Sequence, residues 1–270
     1  MIKINNEIVN IGNFPDGTML IKQSIPEEEK ITLSWFYEND KEMIALIYLA
    51  KHLNAHGCRD IHLYMPYIPN ARQDRVKSSE DVFTLRYFAS VINSLEFKSV
   101  TVLDPHSSVS EALIDNIIIE KPQKLIEDTI AIIEKEEGEI PSMFYPDEGA
   151  GKRYSGMIPL PYAFGIKKRD WKTGKILGLD VAGDTDNIRD KNILIVDDIC
   201  SKGGTFYFSA EKLKELGAKN IYLHVTHCEN TVFEGELLKN DLIKRIFTTN
   251  SILTKQHEKI TVAELQEKIL

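Results

Sequence analysis

Two adjacent aspartates followed by a loop of small residues form the sharpest chemical feature of the chain. Asp197 and Asp198 close the apolar run Ile193-Leu194-Ile195-Val196, and Ser201-Lys202-Gly203-Gly204-Thr205 follow them. Backbone N–H groups at a helix start, with the hydroxyls of Ser201 and Thr205, suit a phosphate. Carboxylates just upstream suit the vicinal hydroxyls of a sugar, so the pair of features describes a pocket for ribose 5-phosphate. The plainer alternative is a strand that ends in Asp-Asp and a turn made by Gly-Gly. A P-loop is excluded, because Gly-x4-Gly-Lys-[Ser/Thr] occurs neither here nor around Gly149-Ala150-Gly151-Lys152-Arg153. That second loop also follows a strand and begins with Asp147. Its glycine amides and cations either bind a diphosphate or open an ordinary helix.

Two further loops carry unusual residues. Asp104-Pro105-His106-Ser107-Ser108 sets a histidine between an aspartate and hydroxyls, where it is a structural hydrogen-bonding group, a ligand for a divalent cation or a phosphate contact. Ala71-Arg72-Gln73-Asp74-Arg75 offers guanidinium forks that match phosphates and stack on bases, or forms a solvated charged loop. One basic run stands out from an acidic chain: Lys167, Lys168, Arg169, Lys172 and Lys175, with Asp170 as its single acid.

The elements that must hold these loops follow from periodicity. Short apolar, β-rich runs alternate with segments of helical spacing, the pattern of βαβ units in a mainly parallel sheet. Met43, Ile44, Leu46, Ile47, Ala50 and Leu53 predict a helix capped by Asn39 or Asp40 and ended by Gly57. Strands are predicted at 61–65, 100–103, 142–145, 176–181, 192–196, 221–225 and 245–248, and helices at 82–95 and 204–216. The amphipathic charged stretch from Glu120 to Glu139 opens a second domain, giving spans of 1–120 and 121–270 with the same βα grammar, the last few residues being expected to pack back on the first domain. In an open parallel sheet, ligands bind at the carboxyl ends of strands, where all four loops fall.

Composition narrows the classes. The chain has 270 residues, 43% hydrophobic and 27% charged, with a net charge of −8. A general nucleic-acid or anionic-membrane surface is disfavoured by that balance. The longest apolar stretch, 44–50, is too short to cross a bilayer, and the first residues lack the apolar core of a signal peptide, so a cytoplasmic protein is expected. Cys58, Cys200 and Cys228 show no close pair and no zinc-type spacing.

At this point the motifs, taken in order, resemble those of the ribose-phosphate pyrophosphokinase (phosphoribosyl pyrophosphate synthetase) family, across nearly the whole chain. Phe14-Pro15-Asp16-Gly17 resembles that family's adenine-contacting loop, which reaches a neighbouring subunit. Pro66-Tyr67 with Arg72, Gln73 and Asp74 resembles its ATP loop, and Asp104-Pro105-His106-Ser107 its metal and nucleotide histidine segment. Asp147, Gly149, Gly151 and Lys152 fall in its diphosphate loop, Lys167 and Arg169 in its flexible catalytic loop. Asp197 and Asp198 with Ser201 to Thr205 match its phosphoribosyl-binding signature.

The resemblance implies two phosphoribosyltransferase-type α/β domains with the active site between them, and a homo-oligomer. It implies transfer of the β,γ-diphosphoryl group of ATP to an anomeric hydroxyl, leaving AMP, with Mg²⁺ on the phosphates near His106 and Asp147. Such a transfer needs alignment and charge neutralisation more than covalent chemistry. Four departures stand out: Thr18 replaces an acid, Ile68-Pro69-Asn70 is inserted before the ATP loop, Ser-Glu-Ala-Leu replaces a glycine-aromatic end after His106, and Ser201-Lys202 replaces small and hydroxyl residues. Lys202 either serves a larger anion, ADP-ribose being the simplest case, or points to solvent. The rival readings are a phosphoribosyltransferase that consumes phosphoribosyl pyrophosphate and a silent nucleotide-binding relative.

Overall fold

The computed structural model describes residues 1–169 and 176–266, and for 167–169 and 176–178 the backbone alone. Lys172, Lys175 and the last few residues, which were expected to pack back on the first domain, lie outside the described residues. Two compact units have main spans Met1–Lys121 and Pro122–Leu265.

The first unit runs β1 (Ile2–Ile4), β2 (Glu7–Ile8), β3 (Ile11–Asn13), β4 (Met19–Ile21), β5 (Lys30–Trp35), α1 (Lys41–Ala55), β6 (Asp60–Tyr64), α2 (Thr84–Asn93), β7 (Ser99–Leu103), α3 (Val109–Leu113) and β8 (Ile117–Glu120). Its sheet has the order β2-β1-β5-β6-β7-β8. From β5 to β8 the pairing is parallel, while β1 and β2 are antiparallel additions. The helical spacing in α1 buries Leu46, Leu49, Ala50 and Leu53 in one core with Leu33, Trp35 and Leu63. Each fully buried leucine contributes roughly 1.5–3 kcal/mol. The Asn39 carboxamide oxygen accepts the Lys41 amide at 3.1 Å, and the chain leaves the helix at Gly57, whose φ of +89° suits glycine. β3 and β4 form a separate antiparallel hairpin.

The second unit runs α4 (Gln123–Glu137), β9 (Ser142–Tyr145), α5 (Glu148–Tyr154), β10 (Tyr162–Arg169), β11 (Ile176–Gly183), β12 (Ile193–Cys200), α6 (Gly204–Glu215), β13 (Ile221–Cys228), β14 (Arg245–Thr249) and β15 (Ile260–Ala263), with 3₁₀ turns at Thr185–Asn187 and Asn230–Glu234. The sheet order is β11-β10-β9-β12-β13-β14-β15, all parallel except the edge strand β11. β12 is apolar without alternation because both of its faces are covered. Ile193 and Ile195 pack with Phe206, Ala210 and Leu213 of α6. Leu194 and Val196 pack with Ile126 and Ile133 of α4 and Ala150 and Tyr154 of α5. Both units are thus α/β, with mainly parallel sheets flanked by helices, as the sequence predicts.

Two expectations are corrected here. The segment of Lys167 and Arg169 is not a loop as far as it is described: its backbone is one arm of an antiparallel ribbon, with Lys167 opposite Leu179 and Arg169 opposite Ile176. β10 pairs with β9 only from Tyr162 to Phe164, and beyond that point with β11. The second correction concerns β12, which continues past Val196 to Cys200 because β13 keeps pairing alongside it, with Asp197 opposite Val225 and Cys200 opposite Cys228.

Candidate functional site

Because β12 runs on to Cys200, Asp197 and Asp198 lie within the strand and point to opposite faces. Asp197 is half-buried and Asp198 buried. Asp197 accepts the Asp198 amide at 3.0 Å through its own Oδ1. Burial pushes the Asp197 carboxyl well above the usual carboxylate range, and the charges of Asp198 and Asp147 push it further. A carboxylate held this way gains from any ligand that donates hydrogen bonds or brings a cation.

The loop after β12 is built for close approach. Gly203 has φ +80° and precedes α6, where no side chain caps the first amides. These N–H groups have no partner within the helix and face the loop. A Cβ on Gly203 would fall 2.2 Å from Leu237 Cδ1, and one on Gly235 would fall 1.8 Å from the Lys202 carbonyl oxygen. Gly235 and Leu237 therefore back the loop from behind, a role no local signal in the sequence announces. Ser201 and Thr205 are partly exposed, Gly204 is exposed and Lys202 is exposed. The Lys202 ammonium pairs with Glu234 Oε2 at 2.9 Å. Beside it, Lys255 Nζ sits 5.5 Å from the centroid of the Phe233 ring.

The Asp147 loop meets this strand. Asp147 caps α5, its side chain accepting the Ala150 amide at 3.1 Å. Gly149 passes close to that carboxylate, where a Cβ would lie 3.2 Å from Oδ1, and Gly151 lies over the Tyr145 ring. Lys152 forms an exposed pair with Glu148 at 2.8 Å. Arg153, in the last turn of α5, reaches Asp198 Oδ2 at 2.9 Å. The structure thus brings the loops of Asp147 and of Asp197 together through Arg153, which the sequence presents only as one of two cations for a diphosphate.

Cys200 and Cys228, far apart in sequence, meet in the fold. They are register partners on β12 and β13 and both are buried free thiols. The Cys228 side chain beside it, together with burial, pushes the Cys200 thiol well up. Residues 28 apart in sequence look unrelated until parallel pairing sets them side by side.

In the first unit, Asp74 ties two predicted loops together. Its carboxylate accepts Arg75 Nε at 2.7 Å, Arg75 Nη2 at 3.0 Å and the Ser107 hydroxyl at 2.6 Å. These donors, Arg75 first, hold its carboxyl down at about 2. The 71–75 loop is thereby fixed to the loop of exposed His106. Arg72 and Gln73 are exposed, and Gln73 accepts the Thr84 hydroxyl at 3.1 Å at the start of α2. Phe14 and Asp16 sit at the tip of the β3–β4 hairpin, where Phe14 is 49% exposed. Asp16 Oδ1 accepts both the amide and the hydroxyl of Thr18, so the residue that departs from the family pattern locks the turn. His106 and Asp147, the expected metal residues, belong to different units, and among the described residues no three His, Cys, Asp or Glu side chains form a metal-binding group. Nor is any helix among them long and apolar enough to cross a membrane.

The comparisons with known proteins accord with this geometry. Residues 156–267 match the family model of the phosphoribosyl transferase domain, the class that the parallel sheet and the Asp-Asp loop define. The chain is 26% identical to a ribose-phosphate pyrophosphokinase of Saccharolobus solfataricus, over 97% of this chain and 89% of that one, and 28% identical to one of Thermococcus kodakarensis, over 95% and 90%. Its fold is similar to that of the phosphoribosylpyrophosphate synthetase of Mycobacterium smegmatis, with a TM-score of 0.78 and 19% identity, covering 95% of this chain and 86% of that one. Over nearly its whole length the chain is thus similar to ribose-phosphate pyrophosphokinases.

Proposed function

We propose that the chain transfers the β,γ-diphosphoryl group of ATP to the anomeric hydroxyl of a ribose 5-phosphate moiety. The oxygen of that hydroxyl forms a bond to the β-phosphorus, the bond from the bridging oxygen to the β-phosphorus breaks, AMP leaves with that oxygen, and the hydroxyl proton passes to solvent. The observation that carries this reading is the Asp197-Asp198 pair running into an uncapped α6 through Gly203. Ser201, Gly203, Gly204 and Thr205 would take the 5-phosphate, and the two carboxylates would accept the sugar hydroxyls. On the ATP side, Arg72, Gln73 and His106 would contact the nucleotide from a loop that Asp74 holds in place. Phe14 and Asp16 would serve the adenine of a neighbouring subunit in a cytoplasmic homo-oligomer. Elution as a monomer from a sizing column would count against that last assignment.

Lys167 and Arg169 would stabilise the charge that develops on the transferred group. ATP would enter chelated to Mg²⁺, a hard cation that needs only one or two protein oxygens beside the phosphates and its waters. The mutual repulsion of Asp147, Asp197 and Asp198 fits such a cation. When bound, it would neutralise phosphate charge near Asp147, with His106 as the second expected contact.

ADP-ribose is a second acceptor, favoured by one specific arrangement. Lys202 of the loop pairs with Glu234, and next to Glu234 the Phe233 ring carries Lys255, so two cations and an aromatic ring are on hand for an added phosphate and a base. The test is a single assay with ATP, Mg²⁺ and either ribose 5-phosphate or ADP-ribose, read as nucleotide product. AMP is expected; ADP, or no product with either sugar, would sink the reading. Lys202→Thr should lower the use of ADP-ribose more than that of ribose 5-phosphate, and equal effects would remove Lys202 from substrate choice.

A further inference from the structure

We propose that Arg153 is a positioning residue for the sugar-binding carboxylates, an inference that rests on the ribose-phosphate reading above. Its guanidinium stands 2.9 Å from Asp198 Oδ2, and the two side chains are 30% and 4% exposed. The guanidinium lies 5.7 Å from the centroid of the Tyr154 ring, which limits where it can swing. A carboxylate as buried as Asp198 is costly unless a cation accompanies it. Here that cation comes from the neighbouring loop.

The seven-residue helix α5 acts as a strut between the two loops. Asp147, its cap, adds negative charge at Asp197, while Arg153 in its last turn places positive charge on Asp198. Three carboxylates are thus kept within electrostatic reach of one another, and Arg153 offsets part of their repulsion. Without it, Asp198 either takes up a proton or turns outward. Both outcomes end its use as an acceptor for a sugar hydroxyl, and neither touches the exposed Arg72 and Gln73 assigned to ATP. A lysine could supply the charge but not the planar fork, so replacement by Lys should restore the function only in part.

The experiment is steady-state AMP formation by the full-length protein, varying ribose 5-phosphate and ATP separately, for wild type, Arg153→Met, Arg153→Lys, Asp198→Asn and the Arg153→Met/Asp198→Asn double variant. For Arg153→Met we expect the KM for the sugar to rise about tenfold or more while the KM for ATP stays within about twofold. Arg153→Lys should fall between. The double variant should be no worse than Asp198→Asn alone, because Arg153 acts through Asp198. An unchanged sugar KM, an equal rise in both KM values, or additive losses in the double variant would overturn the proposal. Should Arg153→Met fail to fold, Arg153→Ala assayed with added guanidinium should regain sugar affinity, and no recovery would count against it. If the wild type forms no AMP, the proposed function falls by itself. Equilibrium binding of ribose 5-phosphate to wild type and Arg153→Lys then decides on Arg153 separately, equal affinities overturning it.

Discussion

Asp74 and Asp197 are both aspartates in segments that the sequence marks for phosphate chemistry, yet their surroundings push them in opposite directions. Asp74 is surrounded by donors from Arg75 and Ser107, which hold its carboxyl at about 2. Asp197 lies next to Asp198, and burial together with the Asp198 charge pushes its carboxyl well up. A carboxylate whose hydrogen-bonding capacity is filled by the protein is scaffold. One that is crowded by another carboxylate is held ready for a ligand that can satisfy it. The first unit therefore uses its aspartate to fix a loop, and the second crowds its aspartate against another carboxylate on β12, ahead of the loop that runs through Gly203 and Gly204.

The largest expected effect is on Asp197. Asp197→Asn should lower kcat/KM for the sugar substrate by about 10²–10³-fold. Its raised carboxyl has a second consequence with a definite sign. A folded-state value above the unfolded one means that stability falls as pH rises through that range, so removing the charge should leave the protein as stable or more stable at neutral pH. Thermal unfolding of Asp197→Asn below wild type at pH 7 would break the contrast drawn here.

Next comes Gly235→Ala, whose new methyl would overlap the Lys202 carbonyl oxygen and displace the loop from Ser201 to Thr205. A loss of about 1–3 kcal/mol in stability is expected, with a raised KM for the sugar and little change for ATP. A variant with wild-type sugar KM would show that the loop tolerates displacement.

Asp74 should give the smallest effect and the opposite sign. Its folded value of about 2 lies below its ordinary value of 3.8, so its stabilisation is fully present above about pH 4 and is lost as pH falls toward 2. The size is about 2 kcal/mol at most, and less because Arg75 is 67% exposed and screened by solvent. In urea unfolding, the gap between wild type and Asp74→Asn should close over that acid range. A gap independent of pH would mean that Asp74 acts by shape alone.

Much of this was legible in the sequence, for physical reasons that also mark its limits. β9 and β12 read clearly because strands buried on both faces are apolar throughout, and α1 because its buried residues recur three and four apart. Strands β1 to β4 have two or three residues each, too few for alternation to register. The Asp-Asp loop was found from neighbours in the chain, since turn and helix-start chemistry is local. Arg153 against Asp198, Cys200 against Cys228 and Gly235 behind Lys202 were not, because each depends on which strands lie side by side. The end of β12 was misjudged for the same reason: charged residues argue against a strand until parallel partners on the neighbouring strand take up their backbone groups.

The ribbon of β10 and β11 has a consequence of its own. Past Phe164 its β10 arm pairs with β11 alone and continues as a beam two strands wide, which Leu179 and Val181 of β11 hold against the core. Its root is Gly165, where anything larger than hydrogen would strike the Pro146 carbonyl oxygen at 2.7 Å. The aim of the beam, and with it the placement of the backbone at Lys167 and Arg169, is thus set by a clearance of one missing methyl group beside the residue that precedes Asp147.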